Sequence, residues 1–84
     1  MQVFVLIYHG AYDGESSCSV KVFDSLWKAQ NRMRAEYEES VEYVKSNFGE
    51  DARYEYYDRS CRTYQEGYFC HNHDEWNIVI EEVL

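Results

Sequence analysis

The chain has no proline and only four glycines in 84 residues. Without proline, no cis–trans isomerisation slows folding and no element interior is broken by a missing amide donor. Basic residues are scarce: eight Lys and Arg stand against sixteen Asp and Glu, for a net charge of −8. A phosphate backbone needs a basic footprint, so direct binding to nucleic acid is disfavoured, and so is binding to an anionic membrane. Cysteine is sparse and odd in number. Cys18, Cys61 and Cys70 do not resemble the framework of a small secreted disulfide protein. Long apolar runs are absent. The opening MQVFVLIYHG carries no basic leader or small-residue cleavage site and is too short for a membrane span. These absences predict a reduced, cytoplasmic protein, and the length predicts one domain over residues 1–84.

Aromatic residues make up 18%, and nine are Tyr. Tyr is half apolar and half polar, so it suits core boundaries and interfaces. Charge is uneven. Residues 1–48 hold five basic and seven acidic side chains, a net of −2, while residues 49–84 hold three basic and nine acidic, a net of −6.

The organising stretch is Asp24–Phe48. Leu26, Gln30, Met33, Tyr37, Val41, Val44 and Phe48 recur at steps of three and four, with Ala29 and Ser40 beside them. That spacing predicts one long amphipathic helix. Lys28, Arg32, Arg34, Glu38, Glu39 and Glu42 fall on its far side. Asp24 or Ser25 suits the N-cap, and Asn47 and Gly49 suit the C-cap. Such a rod needs a sheet to lie on.

Val3–Tyr8 is apolar throughout and predicts a central strand. His9–Ser17, punctuated by Gly10 and Gly14, reads as a loop. Cys18–Phe23 alternates and predicts a second strand, antiparallel to the first. Ala52–Asp58 fits a strand through Tyr54 and Tyr56, or a short helix through Tyr54, Tyr57 and Cys61; the Tyr content favours the strand. Arg59–Gly67 reads as irregular or edge structure, and Asn72–Glu75 as a turn between short strands Tyr68–His71 and Trp76–Val83. The fold predicted is α+β: a mostly antiparallel sheet of three to five strands, in the order β-β-α-β-β, with the long helix packed across one face. Asp at Val5 or Leu6 is expected to unfold it, because a buried unpaired charge costs several kcal/mol.

The opening MQVFVLIYHG, the helix entry VFDSLWKAQNRM and the closing WNIVIEEVL resemble small phage and mobile-element proteins. These begin with a strand of the MxVYVL type and end in an IEE.EL-like strand. The resemblance covers most of the chain in short apolar motifs, implies the same β-β-α-β-β fold and carries no catalytic residue with it. Ala52–Gly67 lies outside it.

No P-loop, G-x-G-x-x-G or G-x-S-x-G occurs. A Cys–His nucleophile pair, drawn from Cys18, Cys61 or Cys70 with His9, His71 or His73, would need a cation to hold the thiolate, and so acidic a chain offers little of that. Cys61, Cys70, His71 and His73 are metal-ligating types. Their spacing, C-x8-C-H-x-H, fits none of the usual zinc patterns, and adjacent Cys70 and His71 would point to opposite faces of a strand. The expectation is no enzyme, no metal and no cofactor.

What remains is a surface. Glu50, Asp51, Glu55, Asp58 and Glu66 interleave with Tyr54, Tyr56, Tyr57 and Tyr64, and the helix adds Glu38, Glu39 and Glu42. Carboxylates meet Lys and Arg, and Tyr supplies rigid contact area. The expected partner is therefore a basic surface of a host protein or nucleoprotein complex, bound in the host cytoplasm. Arrays of this kind occupy nucleic-acid-binding sites by resembling phosphate, as in phage inhibitors of host defence that include some anti-CRISPR proteins. A structural or regulatory interaction module, with a second copy of the chain as partner, is the alternative, followed by a small zinc-binding domain.

Overall fold

A computed structural model describes residues 1–67 and 71–84. The elements are β1 (Gln2–Tyr12), β2 (Glu15–Phe23), α1 (Leu26–Phe48), a 3-10 turn (Gly49–Asp51), β3 (Ala52–Tyr57), β4 (Ser60–Gln65) and β5 (His73–Glu82). The strands form one antiparallel sheet in the order β2-β1-β5-β4-β3. The predicted α+β class and β-β-α-β-β order hold, with one further strand after the helix making five, and among the described residues a single helix covers the sheet.

The apolar run at Val3–Tyr8 lies in β1, which is paired on both sides by β2 and β5. The loop expected over His9–Ser17 is instead a tight hairpin. Both strands continue to Tyr12 and Glu15, leaving Asp13 (φ 51°) and Gly14 (φ 85°) as the turn. Two residues at positive φ match the twist of the flanking strands, and Asp-Gly is well suited to them. The region around Ala52–Asp58 is strand β3 and a turn. Arg59–Gly67, expected to be irregular or edge structure, contains β4, an inner strand paired with β5 on one side and β3 on the other. β5 begins at His73, so residues 73–75 are strand and not turn. The predicted strand Tyr68–His71 falls mostly outside the described residues.

Ser25 caps α1: its Oγ accepts the Lys28 amide at 3.2 Å. Asp24 lies outside the helix and pairs with Lys28 at 2.8 Å. Gly49, at φ 52°, closes the helix and donates its amide to the Lys45 carbonyl. The expected stripe faces the sheet, with Ala29, Met33, Ser40 and Val44 buried and Leu26, Gln30, Tyr37, Val41 and Phe48 half-buried. Leu6, Ala29, Met33, Cys61, Trp76 and Ile78 form the core, flanked by Phe4, Tyr8, Phe23, Leu26, Tyr37 and Tyr56.

Among the described residues, α1 covers one face of the sheet. Strand alternation turns Leu6, Cys61, Asp74, Trp76 and Ile78 toward α1. Val5, Ile7, Val20, Val22 and Val79 turn away from it, and Val20 and Val22 remain 63% and 62% exposed.

This parity separates the two positions at which Asp was expected to unfold the chain. Leu6 is 1% exposed beneath the helix, whereas Val5 is half-buried on the open face. Leu6→Asp should leave the chain unfolded, while Val5→Asp should keep a cooperative transition. Circular dichroism and urea titration of the two variants check this.

Candidate functional site

The polar centre of the molecule is Asp74. In β5 it is registered opposite Gly10 of β1 and Thr63 of β4, and it is 7% exposed. Its Oδ1 accepts the Tyr8 hydroxyl at 2.6 Å. Its Oδ2 accepts the Tyr12 hydroxyl at 2.9 Å and the Ser40 hydroxyl at 2.5 Å. Ser40 spends its one proton on Asp74, so in the 2.6 Å contact between Ser40 Oγ and Thr63 Oγ1 the donor is Thr63. Two tyrosines of β1 and a serine of α1 thus converge on one carboxylate of β5, with Thr63 of β4 bonded to that serine.

Gly10 makes the approach possible. A Cβ there would lie 2.0 Å from the Tyr8 hydroxyl oxygen and 2.7 Å from Asp74 Oδ1. The strand interior accepts a glycine because a side chain would occupy the hydrogen bond's place.

Beside this network a cleft of about 440 Å³ opens between α1 and the sheet. Tyr8, Tyr12, Tyr43 and Trp76 supply its aromatic walls, and Glu36, Glu39, Ser40 and Asp74 its polar lining. Tyr12 meets Tyr43 edge-to-face at 5.4 Å, and Tyr8 lies 5.3 Å from Trp76. Among the described residues, no Lys or Arg lines it. Glu36 is already engaged: it accepts Trp76 Nε1 at 3.1 Å and Arg32 Nε at 2.6 Å, with Lys21 Nζ at 3.5 Å. Burial works to raise its pKa, but the hydrogen bonds from Arg32 and Trp76 and the charge of Lys21 prevail and hold it below the ordinary carboxylate value.

Burial, joined by the Asp74 hydrogen bond and charge, pushes Tyr8 up to about 12. Burial and the Asp74 charge push Tyr12 up as well. Burial raises the Cys61 thiol to about 12, with the charge of Glu36 adding to it. A thiol held protonated in the core is a poor nucleophile.

The twelve residues predicted to form one acidic, Tyr-rich surface are distributed over several. Glu38, Glu39 and Glu42 are exposed on α1, and Glu39 reaches the cleft. Glu50 and Asp51 sit exposed at the helix end, and Asp58 is in the β3–β4 turn. β3 divides the rest by parity. Tyr54 and Tyr56 face the helix side, where Tyr56 packs on Tyr37 at 4.9 Å with Arg34 over its ring. Glu55 and Tyr57 face the opposite side, as does Tyr64 of β4 beneath the Arg62 guanidinium. Glu55 is paired with Arg62 at 2.6 Å, and Glu66 with Arg53. These arginines neutralise much of the negative field around the β3–β4 hairpin.

Among the described residues, Cys61, His71 and His73, considered for metal, are not gathered. Cys61 points into the core with Trp76, His73 points to the opposite face, and His71 is exposed in a turn; Cys70 lies outside the described residues. The sequence reading did not single out Asp74, Tyr8, Tyr12, Ser40 and Tyr43 as a site. The available signal was the i, i+2 relation of Asp74 to Trp76 and Ile78, which sets Asp74 on the apolar face once the strand is extended back. No family model, curated protein or solved structure matches the chain.

Tyr8 keeps its proton in the fold up to about pH 12, against 10.0 for the ordinary phenol. Above pH 10 the unfolded chain binds fewer protons than the native one. This contribution to stability is therefore complete below about pH 10 and lost as the pH rises toward 12. Tyr8→Phe should cost about 1–3 kcal/mol at neutral pH, the range for leaving a buried acceptor short of its donor. Its stability should then fall less steeply between pH 10 and pH 12 than that of the parent chain. Urea unfolding across that range measures both effects.

Proposed function

We propose that the chain is a small, non-enzymatic binding module that takes a basic segment of a partner protein at the cleft beside Asp74. The carrying observation is that this cleft combines aromatic walls with carboxylates and has no basic lining residue among those described. A Lys or Arg side chain gains from both parts: its charge from Glu39 and Asp74, and its cationic face from Tyr12 and Tyr43. The exposed Glu38 and Glu42 of α1 extend the acidic surface beyond the cleft. The net charge of −8 steers such a partner from a distance. In the phage and mobile-element setting that the sequence resembles, the basic surface belongs to a host complex that handles nucleic acid, and occupying it inhibits that complex in an anti-CRISPR manner. Among the described residues, no helix is long and apolar enough to cross a membrane.

The test is capture from host-cell lysate on immobilised chain, with bound proteins identified by mass spectrometry. Basic nucleic-acid-binding proteins should be retained at about 50 mM salt and released by about 500 mM, as screening shortens the reach of the charges. Glu39→Lys and Tyr43→Ala, both at exposed positions, should each abolish retention. Capture that ignores both variants and salt would overturn the proposal.

A second reading is favoured by the open face of the sheet. Val79, Val5 and Val22 form one cross-strand row, and Ile7 with Val20 lies in the next. A second copy packed face to face would cover this patch at the usual spacing of about 10 Å between sheets. Light scattering after size exclusion should then give twice the 10.1 kDa chain mass. The double variant Val20→Glu, Val22→Glu should return it to one. A single-chain mass for the unmodified protein over the whole accessible concentration range removes this reading.

A further inference from the structure

The face of the sheet opposite the cleft carries a second group of polar side chains, unrelated to cation binding by the cleft. His9 of β1 is registered directly opposite Glu75 of β5, and His73 lies two residues before Glu75 on the same strand. All three positions share one parity, so they share the open face. His9 is exposed, Glu75 half-buried and His73 only 5% exposed. Nδ1 of His9 lies 3.3 Å from Nε2 of His73, with the ring centroids 5.2 Å apart. The ligand atoms of His9, His73 and Glu75 all lie within 4.8 Å of one another.

We propose that His9, His73 and Glu75 form a zinc site on the open face of the sheet. The two imidazole nitrogens already have the separation that zinc requires. With Zn–N bonds of about 2.0–2.1 Å and tetrahedral angles, two nitrogens on one ion stand about 3.3 Å apart. The Glu75 carboxylate oxygen lies within 4.8 Å of both nitrogens, a gap of the size a side-chain rotation closes. Two imidazoles and one carboxylate are ligand types zinc prefers, and three protein ligands leave one position open to water or to a group from outside. The scaffold is stiff, because β1 and β5 are adjacent inner strands paired over ten residues. Buried His73 is held in place by its surroundings, and exposed His9 leaves the ion a route in. The cation nearest in register is Arg62, opposite Glu75. Its guanidinium is bound to Glu55 at 2.6 and 2.7 Å, so Glu55 offsets the charge that would otherwise compete for Glu75.

The site would give the open face a chemistry that neither the cleft nor the apolar rows provide: a point where an oxygen, nitrogen or sulfur donor can complete a metal's coordination. It differs from the grouping of Cys61, Cys70, His71 and His73 in every member but His73.

The experiment uses the full-length chain purified without a histidine tag and stripped with chelator. Isothermal titration with Zn²⁺ should show one ion per chain, and Co²⁺ should give a visible d–d band that Zn²⁺ displaces. His9→Gln and Glu75→Gln lie outside the core, and circular dichroism checks that both stay folded. Each should weaken zinc binding at least about tenfold, the low end of the cost of losing even a group that only orients a ligand. His71→Gln, at an exposed histidine outside the group, should bind as the parent chain does. Absence of a saturable site, or binding unchanged in His9→Gln, or binding lost in His71→Gln, would overturn the proposal.

Discussion

Asp74 stands beneath the helix, where its carboxylate accepts hydrogen bonds from the hydroxyls of Tyr8, Tyr12 and Ser40. A carboxylate withdrawn from water is costly unless its lone pairs are satisfied. Here they are satisfied by neutral donors from β1 and α1, with Thr63 of β4 bonding to Ser40 in turn. The arrangement fixes where α1 sits along the sheet, since a slip by one residue would carry Ser40 off the carboxylate. It also explains Gly10, which yields its side-chain space to the Tyr8–Asp74 bond. No internal Lys or Arg contacts Asp74 among the described residues, so its negative charge remains directed at the cleft.

One strand serves both faces of the sheet. Along β5, Asp74, Trp76 and Ile78 go to the helix side, while His73, Glu75 and Val79 go to the open side. The side-chain period of two places an acidic, aromatic cleft and a His–His–Glu group back to back within three consecutive residues. The extents of 45 × 21 × 15 Å fit one sheet and one helical layer. Among the described residues, these two layers leave Val20 and Val22 exposed on the far face of the sheet.

The arginines sharpen where negative charge matters. Arg53 and Arg62 pair with Glu66 and Glu55 across the β3–β4 hairpin, although that region carries much of the chain's acid. On α1, Glu38, Glu39 and Glu42 are exposed, and Glu39 lies at the cleft. Linear density of acidic residues therefore overstates the negative field of the β3–β4 hairpin. Folding neutralises some carboxylates and gathers others.

Periodicity in the sequence determined the helix, its buried stripe and the first strand, because those patterns are local and repeat over several turns or pleats. The same holds for the α+β class and the β-β-α-β-β order. Boundaries were less legible: polar residues at 9–17 and 72–75 hid strand ends that pairing with neighbours stabilises. The Asp13-Gly14 turn was written in the sequence, but the nearby Gly10 obscured it by resembling a loop residue. Only the tertiary structure brought Tyr8 and Tyr12 to Asp74, or His9 to His73, across more than sixty residues. Those meetings depend on which strands become neighbours and in what register, and a pairing between the first and last strands leaves no periodic trace in either one.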